Sequence, residues 1–450
     1  MEAPADQDGE WQRLGPNELQ EVLEGHLRLL RGQPGGQRAL LSFHDLSSVD
    51  LSGNELSEAD LTGARLAQAV LRKTQLRSAN LFGADLRTAD LTGANLTRAD
   101  LRGACLRGAE LSDAILVEAD IREGTLARYT DKRIPESVTF QVEAPDLSCI
   151  TAHRADLSNA KVSQAFVLRT DFTDAVLRNV DMRGADLRNS VFTGAVLEGA
   201  DLSGSNLSGA SLQGADLSGA VFEDADLTET DLRGAIIDEG ALSEAQRQVA
   251  HLPRAAGGAV PDLDELLAGH DAWVESSGRE GRRADLSELD LSGRDLREVD
   301  LAAAILTRSI LSRTDLSQAN LAMADLGFAD LRSANLGRAD LRGVNLQRAV
   351  LKGADLSGAD MGPVERIGKA KRQWPADLSH AKLAGSNLRG AVLRGARLAG
   401  ADLADADLRD CDLRDADLRG ANLTGARMRG AQVAGIDLRG VKGVRPPESG

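Results

Sequence analysis

Aromatic side chains make up only 3% of these 450 residues, with a single Tyr, which weakens any case for a surface that stacks nucleic-acid bases. Cysteine is scarce. Cys105, Cys149 and Cys411 are odd in number and far apart, which excludes a disulfide framework and Cys-based metal spacing and points to reduced thiols. No run of about 18 apolar residues occurs, so no membrane span is expected. The opening Met1-Glu2-Ala3-Pro4-Ala5-Asp6 lacks the basic and apolar regions of a secretory signal, so the expected location is cytoplasmic. Positive charge falls short of negative, 53 Lys and Arg against 69 Asp and Glu, for a net charge of −16. Direct nucleic-acid binding is therefore not expected, and a basic partner suits the chain better.

Catalytic motifs are missing as well. No P-loop, Rossmann glycine motif, Ser-His-Asp spacing or zinc spacing occurs. The histidines, His26, His44, His153, His251, His270 and His380, stand outside the regular part of the chain or at its edges. An enzymatic role, a cofactor and a metal are not expected.

What the sequence does have is a period of five. Apolar centres recur at every fifth position from Leu46 to Leu126, Leu157 to Ile237, Leu286 to Met361 and Leu378 to Leu438. All 63 of these centres are Leu, Ile, Val, Met or Phe. Five fits neither regular element. On an α-helix it smears the centres around the cylinder, and on a flat strand it alternates them between faces. The chain must bend once per step so that every centre meets one axis. Two positions before each centre stands a small residue, as at Ala59, Ala84, Ala185 and Ala319. It shares the inward face of an extended segment. Between them an Asp or Asn points outward, as at Asp60, Asp85, Asp186 and Asn320. Gly often follows two positions after the centre, as at Gly63, Gly184 and Gly293, where a corner needs φ > 0.

This Ala-Asp/Asn-Leu-x-Gly pattern resembles the pentapeptide-repeat family and covers about 315 of the 450 residues. The resemblance implies four steps per coil and an all-β fold: a right-handed, quadrilateral parallel β-helix with coils about 4.8 Å apart. Positions 20 apart would then stack, placing Phe172 over Phe192. Each buried centre contributes about 2 kcal/mol against a backbone ordering cost of similar size, so contact with neighbouring coils decides stability.

The chain reads as a duplication. Glu21-Val22-Leu23-Glu24-Gly25-His26 resembles Glu265-Leu266-Leu267-Ala268-Gly269-His270, and a solenoid follows each. We expect two tandem solenoids, each preceded by a short capping α-helix: a helix from Asn17, as its N-cap, to Leu30, and another from Pro261 to Glu275. Each carries an apolar stripe suited to covering bare coil edges. A third helix is expected around Leu242 to Val249, at the far end of the first solenoid. The expected organisation is an N-terminal segment 1–44, a solenoid 45–242 interrupted by a loop 127–146, a helical linker 243–284, a second solenoid 285–440 interrupted by a loop 362–377, and a tail 441–450. The register shifts by one residue across the first interruption and by two across the second.

Charge is uneven. Residues 156–242 carry six basic against fifteen acidic side chains, whereas residues 243–450 are neutral. Columns Asp181–Asp201 and Asp186–Asn206–Asp226 should form with few arginines to offset them, while Asp405, Asp410 and Asp415 alternate with Arg409, Arg414 and Arg419 as a neutral lattice. The second loop is basic and holds an aromatic residue, and loops on a rigid scaffold concentrate binding residues. The expected interaction surface is Asp181, Asp186, Asp201, Asp226, Arg366, Lys369 and Trp374. The expected function is a non-catalytic scaffold that binds an unidentified partner protein; the helices could alternatively form a homodimer. Some members of the family the chain resembles imitate duplex DNA and bind type II topoisomerases such as gyrase, so an acidic inhibitor or protector of gyrase is the alternative function.

Overall fold

The computed structural model describes residues 11–124, 145–238, 240–252, 263–365 and 373–443. Two compact units divide the chain: Met1–Asp231 with Ile237–His251, and Leu232–Ile236 with Leu252–Gly450.

In both units the described coils run as five-residue steps, each typically closed by a β-turn. In the step at Leu46, the Val49 N–H donates to the Leu46 carbonyl at 3.2 Å, and Ser48, the third turn residue, sits at φ 61°. That positive φ is the signature of a type II turn. Gly fills this corner in many steps, but Glu, Arg, Met and Phe also hold it, as at Glu58, Arg98, Met323 and Phe328. The outward Asp secures the turn from outside. Its Oδ1 accepts the N–H of the residue after the centre, as at Asp45 with Ser47 (3.0 Å) and Asp60 with Thr62 (3.1 Å). This Asx geometry explains why Asp and Asn recur there.

Each step pairs with the step 20 residues on. In the first unit Asp60, Asn80, Asp100 and Asp120 follow one another on one parallel ladder, and three further ladders run beside it. Four ladders per 20 residues make a four-sided coil. The first interruption leaves the ladders in step: Asp120 bridges Lys161, 41 positions on, so one coil gains 21 residues. At the second, Asn345 bridges Asp377, 32 positions on, so one coil gains 12. These additions exceed multiples of five by one and by two, matching the register shifts in the sequence. Within the second, β1 (Val364–Glu365) pairs antiparallel with β2 (Gln373–Trp374).

The centres and the small residues before them form the interior. Phe172 and Phe192 stack at 5.1 Å between ring centroids, as a 20-residue coil requires. Where Ala gives way to a polar residue inside, the hydroxyl finds a carbonyl: Thr74, Thr170 and Thr314 donate to Leu51, Leu147 and Leu291. Several expectations need correction. The second run begins earlier than Leu157, since Leu147 and Ala152 are already buried centres. At its end Ile236 is buried and Ile237 is only half-buried. On the last coil Val433 and Leu438 are 45% and 37% exposed, because no further coil covers them. Leu126 and most of the 127–146 interruption lie outside the described residues.

Among the described residues, three helices accompany the coils. α1 spans Pro16–Leu30, with Gly15 rather than Asn17 at its N-cap and Pro16 opening the first turn. Proline suits that place, because its missing N–H would be unpaired there anyway. His26 joins α1 to the first coils: Nδ1 accepts the Ala39 N–H at 3.1 Å and Nε2 donates to the Ser57 carbonyl at 2.9 Å. α2 spans Glu244–Val249 and opens with a capping box from Ser243 to Gln246. The Gln246 amide donates to the carbonyls of Phe222 and Ala225 on the last coil of the first unit. α3 spans Leu263–Glu275, and Pro261 lies outside the described residues. His270 repeats the Nδ1 bond of His26, accepting the Ala284 N–H at 3.0 Å, but its Nε2 makes no such bond and its ring stacks on Trp273.

Candidate interaction surface

Because the centres and their small neighbours are buried, the surface is built from three positions per step: the Asp or Asn before the centre and the two turn residues after it. The first turn residue lies two positions beyond the Asp, within reach of its carboxylate. A Ser or Thr there donates its hydroxyl to the Asp in many steps, as Thr62 to Asp60 and Ser158 to Asp156; an Arg after an Asp clamps the carboxylate with two parallel hydrogen bonds. Arg87 holds Asp85, Arg102 holds Asp100, Arg332 holds Asp330 and Arg419 holds Asp417 in this way.

Asp181 and Asp201 are neighbours on one ladder, and Asp186 and Asp226 flank Asn206 on another. The columns form as expected, but their charge is offset. Asp181 is clamped by Arg183 through Nε and Nη2, both at 2.9 Å. Asp186 is clamped by Arg188 at 2.8 and 2.6 Å. Each arginine holds its carboxyl below the usual carboxylate range. Asp201 accepts the Ser203 N–H and hydroxyl at 3.1 and 2.6 Å, with the Arg183 guanidinium 3.6 Å away. Asp226 accepts from Thr228 and, at 2.9 Å, from the Ser208 hydroxyl, and the Thr228 bonds lower its pKa. The expectation that few arginines offset these columns is therefore corrected at Asp181 and Asp186.

The expected lattice in the last run changes its pairing in the same way. Arg409, Arg414 and Arg419 clamp Asp407, Asp412 and Asp417. Asp405, Asp410 and Asp415 instead occupy turn corners with φ near 60°; Asp410 pairs with Arg389 at 3.2 Å and Asp415 with Arg394 at 3.9 Å. The signal for this clamp was the recurring tripeptide Asp-Leu-Arg.

Trp374 lies in the second unit, across β1–β2 from Val364, and is 37% exposed. The exposed side chain of Met323 and the backbone of Gly343 lie beside this hairpin. Arg366 and Lys369 lie outside the described residues. Among the described residues, no group of three or more His, Cys, Asp or Glu side chains is placed to hold a metal ion. No described helix is long and apolar enough to cross a membrane.

The profile of pentapeptide repeats matches residues 55–126, 153–239, 284–321, 324–362 and 376–440, more than half of the chain. The chain belongs to the pentapeptide-repeat family. Its coils are those of the right-handed quadrilateral β-helix of that family. Among solved structures it is similar to HetL, a pentapeptide repeat protein involved in heterocyst differentiation regulation from the cyanobacterium Nostoc sp. strain PCC 7120. Identity is 23%, with 76% of this chain and 89% of that one covered, at a TM-score of 0.20. It is also similar to QnrB1, a plasmid-mediated fluoroquinolone resistance protein, with 18% identity over 44% of this chain and 92% of that one, at a TM-score of 0.27. The pentapeptide repeat protein Rfr23 from the cyanobacterium Cyanothece 51142 shows 23% identity over 31% of this chain and 91% of that one, at a TM-score of 0.11. A search of curated proteins found no match.

Proposed function

We propose that this pentapeptide-repeat protein is a non-catalytic scaffold whose outer faces dock another protein. The observation that carries this reading is the state of its outward carboxylates. They are engaged by turn N–H groups, by Ser and Thr hydroxyls and by clamping arginines, which leaves them poorly suited to acid–base work. A rigid framework with fixed, hydrogen-bonded side chains suits recognition of a folded partner. Each unit offers its own docking face: the Asp181, Asp186, Asp201 and Asp226 columns on the first, and the hairpin at Trp374 on the second, with Arg366 and Lys369 beside it in sequence.

Two tandem solenoids, 45–242 and 285–440, carry these faces. α1 and α3 cap their first coils, α2 closes the far end of the first, 243–284 forms the helical linker and 441–450 the tail. The hydrogen bonds of His26, His270 and Gln246 to coil backbone support the capping role. Mimicry of DNA toward gyrase would need a face of uncompensated negative charge, and the clamps on Asp181 and Asp186 argue against it.

The test is capture from a lysate of the source organism, with the full chain immobilised. We expect one protein retained in stoichiometric amount, and lost when Trp374→Ala and Asp226→Ser are introduced together without change in thermal stability. Equal retention by the variant refutes this surface. Inhibition of gyrase supercoiling by micromolar protein would establish the mimic instead.

A further inference from the structure

In many steps an arginine in the first turn position clamps an Asp two residues before it, as Arg102 does Asp100, whereas elsewhere that earlier position holds no Asp, as with Val70 before Arg72 and Gln75 before Arg77. Arg107 is of this second kind: residue 105 is Cys, so the clamp is missing. No described carboxylate forms an ion pair with Arg107, nor with Arg169. Both line a shallow cleft on the first unit together with Arg188, Ser148, Cys149 and Phe166. Asp186 engages Arg188. Asp146, also at the cleft, spends one oxygen on the Ser148 N–H at 2.8 Å. The cleft therefore holds a surplus of positive charge within a chain of net charge −16. Phe166 stands on the ladder between Asp146 and Asp186 and is 45% exposed, an apolar surface beside the arginines.

We infer that this cleft binds a carboxylate side chain of a partner protein, with an apolar residue of the same segment resting on Phe166. The inference rests on the scaffold reading. Guanidinium groups match a planar carboxylate through paired N–H donors, and the ring gives a neighbouring side chain something to cover. A nucleic-acid polyanion is disfavoured because the surrounding chain repels it.

Cys149 supplies the readout, since its thiol is exposed in the cleft while Cys105 is half-buried and Cys411 is buried. The full chain is treated with anionic 2-sulfonatoethyl methanethiosulfonate and with cationic 2-(trimethylammonium)ethyl methanethiosulfonate. The urea-unfolded chain sets the reference ratio of rates, and Cys149→Ser sets the background. We expect the folded chain to favour the anionic reagent by about fivefold over that reference, the combined effect on the two reagents of one unit charge at about 8 Å in water. The preference should shrink with salt and vanish in the double variant Arg107→Gln, Arg169→Asn. Asn is chosen because residue 169 has φ 53°, which Asn tolerates; unchanged circular dichroism checks its fold. The peptide acetyl-Phe-Glu-Glu-amide should slow labelling, while acetyl-Phe-Gln-Gln-amide and inorganic phosphate should not. A ratio equal to the reference, or one unchanged in the double variant, overturns the cleft and leaves the scaffold reading standing. A full ratio with no peptide protection, or with equal protection by phosphate, overturns the assigned occupant.

Discussion

Truncating the same side chain in the middle of a run and on the last coil should give very different losses. Leu326 is fully buried, and the ladder beside it places Leu306 and Leu346 at the same point of the coils on either side. Leu326→Ala removes about three carbon groups at ~0.8 kcal/mol each, close to 2.4 kcal/mol of transfer energy. A cavity term adds to this, because the two flanking coils are hydrogen-bonded to their neighbours and cannot collapse into the space. The expected total is about 3–4 kcal/mol. Leu438, already 37% exposed with no coil beyond it, should lose about 1 kcal/mol on the same change. Denaturant unfolding of the full chain, followed by far-UV circular dichroism, measures both. Destabilisation should concentrate in the transition of the second unit, because coils interact with nearest neighbours. Equal losses at the two positions would refute the stacking argument.

Other consequences follow from the same hydrogen bonds. Burial lowers the pKa of His270 below its usual 6.5, and protonating Nδ1 would break its bond to the Ala284 N–H. The unfolded chain takes up the proton first, so this contribution is complete above about pH 6.5 and is lost as pH falls toward the folded value. Stability measured from neutral pH to about pH 5 should fall more steeply in the native chain than in His270→Asn. Asp407, clamped by Arg409 with Arg427 3.3 Å away, has its pKa lowered from 3.8 to about 2. Its contribution is present above pH 3.8 and disappears as pH falls through about 2, so Asp407→Asn should flatten that part of the acid unfolding curve. Burial pushes the Cys411 thiol up to about 11. A thiol reagent at neutral pH should therefore modify Cys149 in the native chain and reach Cys411 only after unfolding.

The centres were legible because one side-chain class repeats at a spacing that suits neither helix nor flat strand. The register shifts followed from that spacing, and the Phe172–Phe192 stack from the 20-residue coil that the family resemblance implied. The ends of the runs were less legible. Leu147 and Ala152 belong to the second run although Ala152 is a small centre, and Val433 and Leu438 keep the pattern while losing their burial for want of a covering coil. Helix ends turned on single residues, with Gly15 rather than Asn17 at the N-cap of α1. For the surface, counting charges along the chain hid their pairing. Asp181 and Asp186 looked uncompensated because their arginines stand two residues away on the same step, and only the turn geometry brings the groups together. The cleft at Arg107 was invisible because only the coiling of the chain brings Arg107, Arg169 and Arg188 to one place.

The central claim, that the acidic faces are clamped rather than open fields of negative charge, is tested most directly by the titration of Asp181 and Asp186. With aspartate side-chain carboxyls labelled with carbon-13, NMR should place both midpoints below 3.8, and Arg183→Gln with Arg188→Gln should move both upward. Midpoints at or above the ordinary aspartate value in the native chain, as a crowded row of unpaired carboxylates would give, would contradict the account.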